Sequence, residues 1–245
     1  MATLCTLAVW CDDLLLLHIM GIELDVTGLK KQYPEKFYIV TANHQSWNDI
    51  LILQHLFNRR APVLKFLVKR EVIYLPLVGL ICWAYGYPFL RRYAVKGRKG
   101  EGEQRHRDLA VLEKAFDRFM RYPGTVINFV EGTRFTPAKA RRQKSPYKYL
   151  LKPKAGGLTT MLGLLGDRVG GVIDVTIVYD GEDPTFWNFL CGQFRRVLIR
   201  VKEYSKAEIS QVNDFDTVAT WINGIWEKKD LEIGSIRQGL CRGHA

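Results

Sequence analysis

Two short runs of apolar, β-favouring residues each stop at a polar junction, FYIVTA (37–42) at NHQSWND and TVINFV (125–130) at EGTRF, and GVIDVTIVY (171–179) is a third such run. Such runs read as buried strands, and VLKFLVK (63–69) and VLIRVKEY (197–204) extend the set. Between them the apolar pattern changes to helical spacing. ILILQHLF (50–57) predicts a helix, Leu109, Leu112, Phe116, Phe119 and Met120 predict one over 103–121, and Val218, Trp221, Ile222, Ile225 and Trp226 predict one over 214–229. Strands alternating with helices predict an α/β fold: a single domain with a mostly parallel mixed sheet flanked by helices. No internal repeat, low-complexity tract or linker divides the chain.

Two apolar segments raise the question of a membrane. Residues 2–22 are apolar but interrupted by Asp12 and Asp13, which makes a span through the bilayer centre expensive. We expect an apolar N-terminal helical segment that serves as an amphipathic anchor or a cover for the core, or is the remnant of a longer membrane segment. Residues 72–90 run without a charge between Lys69-Arg70 and Arg91-Arg92, which is the length of a transmembrane helix. Pro76, Gly79, Gly86 and Pro88 break helices, so the expectation there is a helix followed by a strand, partly buried and partly touching lipid, with a true span as the alternative. No secretory signal pattern opens the chain.

The formal net charge of +11 favours an anionic partner: nucleic acid, an anionic membrane face or a phosphorylated substrate. Residues 134–154 hold eight Lys or Arg and no acid, and residues 59–107 are also strongly basic. Either run alone reads as a solvated surface. Two of them beside large apolar segments favour an anionic membrane surface over nucleic acid. The five cysteines form no C-x-x-C pair, which argues against a zinc site or a disulfide framework and for reduced thiols. His18, His55, His106 and His244 have no metal-ligand partners at useful spacing and receive no role.

The junction NHQSWND places His44 and Asp49 where a strand gives way to a helix. A histidine titrating near neutrality can take a proton from an attacking hydroxyl, and a carboxylate on its other ring nitrogen fixes the tautomer and stabilises the imidazolium. The same letters permit a quieter reading. Ser46 and Asp49 spell S-x-x-D before an apolar run, a helix capping box that uses Asp49 and leaves His44 idle. The two readings are compatible. The second junction presents Glu131, Gly132, Thr133 and Arg134 at a strand's carboxyl end, where open α/β sheets bind ligands. A glycine lets backbone approach a substrate, and arginine offers a forked donor for phosphate. An isolated E-G-T-R is otherwise an ordinary turn with a surface ion pair.

Taken together, N-H-x-x-x-x-D followed by F-V-E-G-T-R resembles the glycerophospholipid acyltransferases, whose type member is 1-acylglycerol-3-phosphate acyltransferase. KREVIYLPLVG (69–79) and GYPFLRR (86–92) look like that family's second block, which makes Arg92 the carried-over arginine. Asp174 stands where the fourth block usually has a proline, as in a subgroup of these enzymes. The resemblance implies an acyltransferase domain over 31–205, preceded by a membrane-associating segment (1–30) and followed by a helical extension (206–245).

It also implies transfer of a fatty acyl group from a thioester, acyl-CoA or acyl carrier protein, to the free hydroxyl of a lysophospholipid such as 1-acylglycerol-3-phosphate. His44 is then the general base and Asp49 its orienter, and the absence of G-x-S-x-G agrees with direct transfer. Arg134 and Arg92 hold the acceptor phosphate, Glu131 orders the pocket around Arg134, and amides near Gly132 meet the oxyanion, with Thr133 in the same binding turn. Lys69 and Lys154 add phosphate contacts or are surface lysines. No cofactor or metal is implied, and the partners are membrane lipids, the lysophospholipid and the acyl donor. The expected location is membrane-associated, with the site facing the cytoplasm. The rival reading is a non-catalytic basic protein that binds membrane surfaces or nucleic acid.

Overall fold

The computed structural model describes residues 21–58, 60–62, 64–66, 68–69, 74, 89–90, 123–181, 184–212 and 214–243. The N-terminal apolar segment up to residue 20, most of 72–90, the predicted helix 103–121 and Arg92 lie outside the described residues.

The buried runs do form strands. In chain order they are β1 (Glu23–Thr27), β2 (Phe37–Ala42), β3 (Leu64–Phe66), β4 (Val68–Lys69), β5 (Phe89–Leu90), β6 (Thr125–Asn128), β7 (Val169–Tyr179) and β8 (Arg196–Ser205). Six of them make one mixed sheet in the order β1-β8-β7-β2-β6-β3. Every neighbouring pair is parallel except β7 with β8. The stretch 63–69, expected as a single strand, is divided: β3 pairs with β6, while β4 leaves the sheet to pair with β5. One straight strand cannot serve both partners.

The helices are α1 (Asn48–Phe57), α2 (Pro137–Gln143), α3 (Ala155–Leu165), α4 (Phe186–Leu190), α5 (Lys206–Ile209) and α6 (Phe215–Gly243). Successive strand residues point to opposite faces, and the two faces build two cores. Tyr38, Val40, Ala42, Ile173, Val175, Ile177 and Tyr179 pack against Ile52, Leu53, Leu56 and Phe57 of α1. Phe37, Ile39, Val126, Val172 and Val178 face the other way, onto α3 and α6. Full burial of aliphatic and aromatic side chains contributes about 1.5–3 kcal/mol each, so these two layers are what fix the strand ends in space.

α6 runs fourteen residues beyond the predicted stop at 229. Val218, Ile222, Ile225 and Trp226 anchor its first half, and Ile233 adds a buried contact further along. Ile236 and Leu240 continue that face against the core, while Leu231 and the glycines Gly234 and Gly239 interrupt the pattern in the sequence. α3 was likewise hidden, by Gly156, Gly157 and Gly163. Among the described residues, no helix is long and apolar enough to cross a membrane.

A polar seam crosses the interface between α6 and the sheet. Lys229, fully buried, reaches Asp174 Oδ1 at 2.8 Å and donates to the carbonyl of Val175 at 2.8 Å. Thr41 donates to the same carboxylate oxygen at 2.8 Å. Burial pulls the Lys229 ammonium down from its usual range, while Asp174 pushes it back up.

Candidate active site

β2 and β6 are adjacent and parallel, with Thr41 opposite Asn128, so the segments leaving them emerge at the same sheet edge. The amide of Phe135 donates to the carbonyl of His44 at 2.7 Å. The amide of His44 in turn donates to Oε1 of Glu131 at 3.4 Å. Both junctions singled out in the sequence are therefore stitched into one rim.

Asn43 extends the β2–β7 ladder with its side chain. Its Nδ2 donates to the carbonyl of Ile177 at 2.9 Å, and its Oδ1 accepts the Ile177 amide at 2.8 Å. This pins the residue before His44. The imidazole stacks on Phe129 with ring centroids 4.1 Å apart, and its Nδ1 lies 2.8 Å from Oδ2 of Asp49. Oδ2 accepts at this contact as it does from the neighbouring amides, which makes Nδ1 the donor and leaves Nε2 as the acceptor of a neutral imidazole.

Asp49 is fully buried, and donors surround it. Oδ2 also accepts the amides of Gln45 at 2.7 Å and Ser46 at 3.0 Å, while Oδ1 accepts the hydroxyl of Tyr179 at 2.5 Å. The capping reading is thus half realised. Asp49 reaches back to the Ser46 amide, but the Ser46 hydroxyl accepts from Asn48 at 3.3 Å, not from Asp49. Helix capping and histidine orientation share a single carboxylate oxygen.

Glu131 is also fully buried, and it departs from its expected role. Its carboxyl takes the amides of His44 and, at 3.3 Å, Leu151; it orders backbone, where a contact ordering Arg134 was expected. Burial pushes it up to about 8, while the two amides and Lys229 pull the other way. Gly132 sits at φ 68°, the left-handed region, and its amide closes a turn onto the carbonyl of Phe129 at 2.8 Å. The amide of Gly132 itself is thus spent inside the turn, and the expectation for amides near it falls on its neighbours.

Arg134 lays its guanidinium over the ring of Trp47, 5.1 Å from its centroid. Trp47 is 45% exposed, so this stack faces outward. Lys139 Nζ fixes the preceding turn, reaching Thr133 Oγ1 at 2.9 Å and the carbonyl of Arg134 at 2.8 Å. The Lys154 amide donates to the carbonyl of Val130 at 2.8 Å, and a Cβ at position 132 would come within 3.1 Å of Lys154 Nζ. The rim thus joins a histidine with a free ring nitrogen to two cationic side chains, a geometry suited to deprotonating a hydroxyl on an anionic molecule.

A model of the acyltransferase family matches residues 23–180, well over half of the chain. The chain belongs to the acyltransferase family. The match starts at β1 and takes in both junctions and Tyr179, leaving α6 outside it. Among curated proteins, the 1-acyl-sn-glycerol-3-phosphate acyltransferase 3 of Arabidopsis thaliana is 26% identical over 210 residues, covering 80% of this chain and 52% of that protein. The gamma form of Mus musculus is 28% identical over 211 residues, 81% of this chain and 53% of that protein. The chain thus spans about half the length of these relatives. The crystal structure of PlsC, the 1-acyl-sn-glycerophosphate (LPA) acyltransferase from Thermotoga maritima, superposes with a TM-score of 0.58 at 16% identity, covering 94% of this chain and 81% of that one. At that identity the likeness is one of fold.

Sequence reasoning assigned no separate role to Asn43, Phe129, Trp47 or Tyr179, which the structure brings to this rim. A tyrosine ending an apolar strand carries no spacing signal toward Asp49; only the β2–β7 pairing brings it there.

Proposed function

We propose that this acyltransferase moves a fatty acyl group from a thioester, acyl-CoA or acyl carrier protein, to the free hydroxyl of a lysophospholipid, 1-acylglycerol-3-phosphate above all. The observation that carries the reading is the His44–Asp49 pair, with Nε2 left as acceptor, on the same rim as the Arg134–Trp47 stack.

In this mechanism Nε2 of His44 takes the acceptor's hydroxyl proton as the oxygen attacks the thioester carbonyl. Asp49 holds the ring and stabilises the imidazolium. Collapse of the tetrahedral intermediate breaks the carbon–sulfur bond, and the departing thiolate recovers the proton from His44. The products are a diacyl phospholipid and a free thiol. Arg134 grips the acceptor phosphate as a forked donor, with Arg92, Thr133 and Lys154 as further contacts. Gly132 keeps the turn low enough for the headgroup to approach. The basic surface over 134–154 and the exposed Trp47 support action at an anionic membrane face, with the site on its cytoplasmic side.

The test offers the purified protein a panel of lysophospholipids with acyl-CoA and acyl carrier protein donors. Thiol release matched one to one by diacyl product, greatest with the phosphate-headed acceptor, is the expected result. Tight, salt-sensitive vesicle binding with no thioester consumed would favour the non-catalytic rival and defeat the proposal.

A further inference from the structure

We propose that Tyr179 is a positioning residue for the acyl-transfer site, acting on His44 through the second oxygen of Asp49. The inference rests on the reading of His44 as base.

The geometry is specific. Asp49 Oδ2 faces His44 and the amides of Gln45 and Ser46, all from its own segment. Oδ1 alone faces a distant element, where it accepts the Tyr179 hydroxyl at 2.5 Å, a short bond of the charge-assisted kind. Without that bond only donors of its own segment, all on Oδ2, would resist rotation of the carboxylate about its soft terminal torsion. The phenol blocks this rotation.

Tyr179 is itself held rigidly. It ends β7, its ring packs edge-on to Phe194 with centroids 5.1 Å apart, and it is 1% exposed. Two residues earlier on the same strand face, Ile177 grips Asn43 through both its backbone polar groups. The end of β7 therefore holds the junction at two points, fixing the backbone before His44 and the carboxylate behind it. A phenylalanine would fill the same apolar space while giving Asp49 nothing, so the hydroxyl has a use that core packing does not supply.

Tyr179→Phe is expected to lower kcat about tenfold to a hundredfold, the loss of one hydrogen bond to a charged group, with KM for both substrates within about twofold. In an Asp49→Asn background the same change should alter kcat by less than about twofold, because the route through Asp49 is already broken. Equal losses in both backgrounds overturn the proposal. A second readout is independent of turnover: the low-field Nδ1 proton resonance of His44 should move or broaden in Tyr179→Phe, and an unchanged resonance also overturns it. Should Phe at 179 unfold the chain, 3-fluorotyrosine there keeps the shape, changes the acidity of the phenol, and should move the same resonance. If His44→Ala leaves turnover intact, the reading of His44 as base fails, while the resonance in Tyr179→Phe still decides whether Tyr179 positions Asp49.

Discussion

Phe135 donates its backbone amide to the carbonyl of His44 at 2.7 Å. Through that bond two strand ends far apart in the chain become one surface. The bond also explains why the imidazole and the arginine turn can be treated as a single site: a shift of either segment drags the other. The basic charge of the chain alone accounts for attraction to anionic surfaces, but it gives no reason for a buried carboxylate to orient an imidazole at that rim.

Arg134→Ala should raise KM for phosphate-headed acceptors about tenfold or more, with a smaller effect on kcat, because a forked charge-assisted contact is lost. Trp47 stacks against the guanidinium, so Trp47→Ala should move KM in the same direction by less. Saturation curves over acceptor concentration check both; an unchanged KM in Arg134→Ala contradicts the phosphate assignment.

Glu131 should make stability fall as pH rises. A carboxyl whose pKa is higher in the folded chain than in the unfolded one holds its proton more tightly when folded. Its contribution is complete below about 4.5 and is lost as pH climbs through about 8. Thermal melts from about pH 5 to about pH 9 should therefore show the wild type losing roughly a few kcal/mol relative to Glu131→Gln. Parallel curves would contradict this.

Lys229→Met should destabilise the chain by about 3–5 kcal/mol, since it strands Asp174 in the core without its counter-charge. Adding Asp174→Asn should recover a large part of that loss. Urea titration of the two singles and the double checks it, and strict additivity would show that the pair is not coupled.

The strands were legible because burial on both faces writes continuous apolar runs, and FYIVTA and GVIDVTIVY are the clearest cases. β1 was not, since ELDVT is short, mostly exposed and stable only by pairing with β8. At the site, the meeting of His44 with Asp49 and the sharing of one rim by the 43–49 and 131–134 segments were legible from their place at strand ends. Their partners were not: Tyr179 reaches Asp49 from another strand, and Glu131 turns toward the Leu151 amide, which no spacing rule foretells. The seam from Asp174 to Lys229 shows the same gap, because an aspartate within an apolar run makes sense only once α6 delivers its lysine.

The most direct test of the central claim is the turnover of His44→Ala on an acyl thioester and 1-acylglycerol-3-phosphate, with its fold and vesicle binding verified against the wild type. Loss of the general base predicts a fall in kcat of about a hundredfold to ten-thousandfold with binding retained. Turnover close to that of the wild type would contradict the account.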